Sequence, residues 1–216
     1  MKIKGAIFDL DGTLLDSMGI WHTLGEKYLI WKGLTPAPDL NEQLKPMSLL
    51  QAAQYFRKEY HLADSDEAII RQINTLIENE YRDSILLKDS AEAFLRNLKN
   101  SNVKMCIATA IERPLVEAVL IRLNIADCFC GIITCREAGF GKDRPDIYHR
   151  ALELLQTSSN ETVVFEDALH AIKTAKAAGF LVAAVYDKSA DADKEEIRSA
   201  ADWYLNSFDE WEMDES

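Results

Sequence analysis

Positive charge is what this 216-residue sequence is short of: 24 lysines and arginines face 36 aspartates and glutamates, for a formal net charge of -12. Most of such a surface repels phosphate-rich polymers, so nucleic acid is not an expected partner. No stretch approaches the roughly 20 consecutive apolar residues a membrane-spanning helix needs. The first ten residues, MKIKGAIFDL, have their short apolar run interrupted by charge and lack a small-residue cleavage pattern. A soluble cytoplasmic protein without a membrane partner is the expectation. Cysteine is scarce as well. Three of the four cysteines, Cys128, Cys130 and Cys135, lie in CFCGIITC, with no second CxxC and no histidine pair, so they and Cys106 read as small core residues rather than metal ligands. Internal repeats and low-complexity segments are missing too, and the acidic DEWEMDES reads as a frayed tail.

What is present is an apolar content of 48%, ordinary for a globular core, arranged in short runs. Ile3 to Leu10, VKMCIAT (103–109), GIITC (131–135), ETVVFED (161–167), FLVAAVYD (180–187) and a weak DWYL (202–205) have the length and branching of buried parallel strands. Helix-period segments lie between them at Pro114 to Leu123, Asp146 to Leu155, Ala168 to Ala178 and Ala192 to Ala200, with Gly179 as a helix stop. The alternation predicts an α/β fold, a parallel sheet covered by helices on both faces. From Leu14 to Leu87 it breaks. There the sequence predicts helices at Met18 to Trp31, Leu49 to Tyr60 and Asp66 to Arg82, joined by the loop LTPAPDLNEQLKP. The expected organisation is a core of residues 1–13 and 88–216 with a helical insertion at 14–87. Tyr28, Trp31, Tyr55 and Phe56 fall at helical spacing and are expected to pack inside that insertion.

In parallel α/β sheets, ligands gather at the carboxyl ends of the strands. The polar residues there are few: Asp9 and Asp11 after the first run, Thr109 after the second, Glu166 and Asp167 after the fourth, and Lys142 in the GFGKDRPD loop. Asp9 and Asp11, two apart on a strand end, project to the same side, where like charges repel. A hard cation such as Mg²⁺ offsets that repulsion and draws in phosphate. Phosphoryl transfer then needs an in-line nucleophile, positive charge on the non-bridging oxygens and a proton for the leaving alkoxide. Asp9, Mg²⁺ with Lys142, and Asp11 can supply these.

The stretches FDLDGT (8–13), IATA (107–110), Lys142 before PDIY (145–148) and FEDALHAIKTAKAAG (165–179) resemble, in order, the four motifs of the haloacid dehalogenase-like (HAD) superfamily. The helical insertion, DSM (16–18) and NEQLKPMS (41–48) are similar to its capped branch, which includes β-phosphoglucomutase and phosphoglycolate phosphatase. The resemblance implies a Rossmann-like core with a helical cap closing over the substrate. It implies Asp9 as the nucleophile forming an aspartyl-phosphate and as a metal ligand, and Asp11 as general acid and base with its carbonyl on the metal. Thr109 and the amide of Ala110 would hold a phosphoryl oxygen, Lys142 would balance nucleophile and phosphoryl group, and Asp167 with Glu166 would serve the metal. Two departures stand out. GKDRPD replaces the usual GKPxPD, and Trp21 and Leu49 stand where the resembled mutases carry a histidine and an arginine. Trp21 and Arg113 are further expected substrate contacts.

The expectation is therefore a Mg²⁺-dependent, monomeric phosphatase of small phosphorylated metabolites. A phosphosugar mutase is the alternative, and a catalytically silent binding module stands behind it. Sugar phosphates, phosphoglycolate and nucleoside monophosphates remain equally open as substrates.

Overall fold

All six apolar runs become strands: β1 (Gly5–Phe8), β2 (Lys104–Thr109), β3 (Gly131–Thr134), β4 (Thr162–Glu166), β5 (Leu181–Val185) and β6 (Trp203–Leu205). Every neighbouring pair is parallel, in the order β3-β2-β1-β4-β5-β6. The computed structural model describes residues 3–44, 47 and 49–211. Among these the helices are α1 (Met18–Trp31), α2 (Leu40–Leu44), α3 (Leu49–Glu59), α4 (Asp66–Asp83), α5 (Ala91–Asn100), α6 (Arg113–Arg122), α7 (Cys135–Ala138), α8 (Asp146–Leu155), α9 (Leu169–Ala177) and α10 (Lys194–Ala200). The tail beyond Trp211 and part of the NEQLKPMS stretch lie outside the described residues.

The chain divides into two units, Met1–Ser17 with Ile85–Ser216, and Met18–Ser84. In the first, strand side chains alternate between two faces, as the period of a strand requires. Ile7, Cys106, Ala108, Val164, Val182 and Ala184 pack on one face with Ile147, Tyr148, Ala151 and Leu155 of α8 and Ile172 and Ala175 of α9. On the other, Phe8 stacks on Phe165 with ring centroids 4.5 Å apart, and Phe94 of α5 meets both edge-on. Helix α5 was not read from the sequence, although its Ala91, Phe94, Leu95 and Leu98 make a buried stripe. The last expected helix starts later than Ala192: Lys188–Asp193 is a 3₁₀ turn capped by Asp187, which accepts from the Ser189 N–H. Gly179 follows α9 with φ +83°, a conformation that strains any residue with a Cβ.

The division between units differs from the sequence-based boundaries. Residues 14–17 and 85–87, read as part of the insertion, belong to the sheet unit. Leu14 and Leu15 are fully buried there. The Asp16 N–H donates to Leu86 O at 3.0 Å and the Lys88 N–H to Leu14 O at 2.9 Å, making a short antiparallel ribbon.

The second unit contains α1 to α4. Its interior holds Leu24, Tyr28, Leu29, Phe56, Ile69, Ile73, Ile77 and Tyr81. The α2 turn lies inside what the sequence reading treated as loop, with Leu40 buried. Trp31 corrects another expectation. It is 56% exposed, because the inward stripe of α1 ends with Tyr28 and Leu29, and the Lys32 ammonium lies over its ring. Polar groups in this unit answer one another. The Tyr28 hydroxyl donates to Gln72 Oε1 at 2.9 Å, Gln72 Nε2 donates to Asp64 Oδ1 at 3.0 Å, and Lys32 Nζ is 2.8 Å from Asp64 Oδ2.

Candidate active site

β1 delivers Asp9 to its carboxyl end, where the Asp9 N–H still pairs with Phe165 O of β4 at 3.0 Å. The chain then turns sharply. Leu14 and Leu15 both donate to Leu10 O, Gly12 donates to Leu15 O, and Gly12 takes φ +76°, the reason a glycine stands in FDLDGT. β4 delivers Glu166 and Asp167 beside it. Carboxylate oxygens of Asp9, Glu166 and Asp167 lie within 4.8 Å of one another, and all three residues are buried. The loop between α7 and α8 sends Lys142 into this group. Its ammonium, 7% exposed, contacts Asp9 Oδ1 and lies 2.7 Å from Glu166 Oε2.

Three buried carboxylates around one ammonium are electrostatically unbalanced. Burial raises the pKa of both Glu166 and Asp167, and the Asp9 charge raises them further, while Lys142 works in the opposite direction. Burial alone would push Lys142 toward releasing its proton. Asp9 and Glu166 outweigh it and hold the ammonium well above its ordinary range. Removing such charges from water costs several kcal/mol each unless they are compensated. A cluster of carboxylate oxygens with excess negative charge suits a hard divalent cation, so the residues present fit a metal of that class.

The remaining candidates divide into those gathered here and those held elsewhere. Thr109 ends β2, fully buried, and its hydroxyl oxygen accepts the Ile111 N–H at 3.1 Å. Ala110 follows it and is exposed. Asp11 is outside the three-carboxylate group, and Ser17 Oγ donates to its Oδ1 at 2.6 Å. Arg113 has partners of its own. Its guanidinium grips Glu137 at 2.6 and 2.9 Å and donates to Ile132 O at 2.7 Å. Glu137 is itself fixed by a capping box with Thr134. Trp21 belongs to the helical unit, on α1, 36% exposed. Two residues that the sequence left unassigned touch these carboxylates: Thr13, whose hydroxyl donates to Asp167 Oδ1 at 3.1 Å, and Ser17 on Asp11. Thr13 was signalled by the FDLDGT stretch itself. Nothing in the sequence said which carboxylate it would hold, because Asp167 is 154 positions away.

A family model for haloacid dehalogenase-like hydrolases matches residues 3–179. The chain belongs to this family. Hexitol phosphatase A of Escherichia coli is 29% identical over 215 residues, covering 97% of this chain and 94% of that protein. Beta-phosphoglucomutase of Bacillus subtilis is 28% identical over 193 residues, covering 85% and 83%. Among solved structures, one from Thermotoga maritima named for beta-phosphoglucomutase superposes with a TM-score of 0.84 at 21% identity, covering 95% of this chain and 94% of that one. The six-stranded parallel sheet with flanking helices is thus the HAD fold, and the chain is an enzyme of that hydrolase family.

Proposed function

We propose that this HAD-family enzyme is a Mg²⁺-dependent phosphatase that hydrolyses a small phosphomonoester through an aspartyl-phosphate on Asp9. The observation that carries the reading is the group at the ends of β1 and β4: Asp9 held by Lys142, with Glu166 and Asp167 alongside. Asp9, Asp167 and Glu166 would hold the ion, with the Asp11 carbonyl. When bound, Mg²⁺ supplies positive charge to the phosphoryl oxygens.

The rest is the chain's own chemistry. An Asp9 carboxylate oxygen attacks phosphorus and the bond to the leaving alkoxide breaks. Asp11 gives that alkoxide its proton. The Thr109 hydroxyl and Ala110 N–H hold a phosphoryl oxygen, and Lys142 orients Asp9 while balancing the charge transferred. Asp11, now a carboxylate, takes a proton from water as that water attacks the acyl phosphate. Phosphate leaves and Asp9 is restored. Lys142 is protonated as the buried partner of two carboxylates, so it acts as a fixed charge rather than a base.

Names of relatives point both ways, to phosphatases and to a phosphoglucomutase. A mutase must keep a bisphosphate in place, and Trp21 and Leu49 offer no charge where the resembled mutases grip it. That difference favours hydrolysis. Trp21 stays a proposed substrate contact. Arg113 is left out because Glu137 already holds it. We take the enzyme as a cytoplasmic monomer. The deciding experiment is phosphate release from sugar phosphates, phosphoglycolate and nucleoside monophosphates, with Mg²⁺ or EDTA, by wild type and Asp9→Asn. Release requiring both Mg²⁺ and Asp9 supports the reading. Isomerisation of a sugar phosphate without net release would replace it with the mutase.

A further inference from the structure

Lys88 takes no part in the mechanism above, yet its ammonium is largely buried, 15% exposed, against Asp187, 8% exposed. It lies 2.9 Å from Asp187 Oδ2 and donates to Tyr186 O at 2.6 Å, just past the end of β5. Asp187 Oδ1 in turn accepts the Ser189 N–H at 2.8 Å and the Ser189 hydroxyl at 2.7 Å. The Lys88 backbone reaches the other way, its N–H on Leu14 O at 2.9 Å. Leu14 is part of the turn that carries Asp11 and Thr13. One residue thus joins that turn to the carboxyl end of β5.

Asp167 belongs to the same circuit. It follows β4, which pairs with β5 so that Glu166 lies opposite Ala184. Thr13, inside the turn, donates to Asp167 Oδ1 at 3.1 Å. From Asp167 the path runs through Thr13, the turn, Lys88 and Asp187 to β5, and back across the sheet to β4. The Thr13–Asp167 and Lys88–Leu14 links are hydrogen bonds, the Lys88–Asp187 link is an ion pair, and the chain itself makes the rest. Burial works against the Asp187 charge, but Ser189 and Lys88 outweigh it and hold Asp187 below the ordinary carboxylate range. A buried ion pair contributes little net stability compared with apolar packing; what it fixes is geometry. Groups that orient a ligating carboxylate characteristically change metal affinity by 10- to 100-fold, in order of magnitude.

We propose that Lys88 and Asp187 are a positioning pair for the metal site, holding Thr13 against Asp167 and so fixing the direction of that carboxylate. The inference rests on the metal reading given above. It assigns a role to two residues that neither touch the phosphoryl group nor ligate the ion.

The test is direct calorimetric titration of Mg²⁺ into wild type, Lys88→Met, the double variant Lys88→Met/Asp187→Asn, Thr13→Val, and Thr13→Val combined with Lys88→Met. The double charge removal leaves no orphaned ion, so it answers even where Lys88→Met alone fails to fold. Expected is a roughly tenfold weaker Mg²⁺ affinity in the double variant and in Thr13→Val. The Thr13→Val/Lys88→Met combination should lose no more than Thr13→Val alone, because both act on one carboxylate through one path. In turnover, the Mg²⁺ concentration for half-maximal rate of the Lys88→Met/Asp187→Asn variant should rise by the same factor, with its kcat at saturating Mg²⁺ within about twofold of wild type. A double variant that binds Mg²⁺ as wild type does, or losses that multiply as independent ones, would overturn the proposal and leave the metal reading standing. Wild type that binds no Mg²⁺ would remove both.

Discussion

The carboxyl edge of the sheet and the half-buried polar chain of the helical unit hold charge on opposite terms. In the helical unit, Tyr28, Gln72, Asp64 and Lys32 form a chain in which each donor meets an acceptor and the one anion meets one cation. At the sheet edge, Asp9, Glu166 and Asp167 crowd about a single Lys142. The first arrangement is complete within the protein. The second becomes balanced only with another positive charge, and a phosphoryl group can then be accepted. Marginal stability leaves little room for uncompensated buried charge, so a region holding such charge at the ends of parallel strands is where chemistry is to be sought.

The largest effects should come from subtracting single groups at that edge. Asp9→Asn removes the nucleophile and should lower phosphate release by a factor of at least about a thousand. It also removes one of three crowded negative charges, so metal-free Asp9→Asn should melt no lower than wild type in a calorimetric scan. Loss of both activity and stability would break the contrast, because the carboxylate would then be serving the fold. Asp11→Asn should slow turnover by roughly a hundredfold to a thousandfold through loss of proton transfer. Substrates with better leaving groups should lose less in the first step, and a panel of aryl phosphates of graded leaving-group pKa would measure that.

Lys142 sharpens the comparison from the other side. Lys142→Met leaves three buried carboxylates with no partner cation, and breaking a buried pair in this way costs about 3 kcal/mol. Urea unfolding without metal should show it, and added Mg²⁺ should return part of the loss. Smaller is the pH effect. Glu166 and Asp167 have pKa values raised above their unfolded ones, so the folded state binds the extra protons. Their contribution is fully present below the ordinary carboxylate range and is lost as pH rises through the folded values. Metal-free protein should therefore lose stability as pH rises from about 5 to about 8. Glu166→Gln should flatten that slope, and a slope unchanged in Glu166→Gln would place its source elsewhere.

The same contrast decides what could be read from the sequence. Strands β1 to β6 announce themselves as short branched runs with polar residues at their carboxyl ends, so the sequence alone places Asp9, Thr109, Glu166 and Asp167 at one edge. Lys142 could be named, but its burial against two carboxylates could not, since nothing local separates it from a solvated loop lysine. Helix α5 escaped because its four inward residues lie among Glu92, Arg96 and Lys99, whose charges mask the stripe. Thr13 on Asp167, Lys88 on Asp187 and Arg113 on Glu137 are pairings between distant positions that only the folded chain makes. Trp31 was misread because helical spacing gives the face but not the point at which the helix leaves the interior.

The smallest effect belongs to the helical unit, and it tests whether the contrast is real. Tyr28→Phe removes one hydroxyl from a satisfied chain and leaves Gln72 Oε1 without its donor, a change worth about 1 kcal/mol. The ring itself remains packed on Phe56, with centroids 5.3 Å apart, so the apolar burial is retained. Thermal melts should show a modest drop that is the same with and without Mg²⁺ and the same across the pH range in which the sheet edge titrates. Lys142→Met should instead depend on both. If Tyr28→Phe acquired a Mg²⁺-dependent stability, the helical network would be coupled to the charge at the sheet edge. The division between a self-balanced polar chain and an edge awaiting its cation would then have to be abandoned.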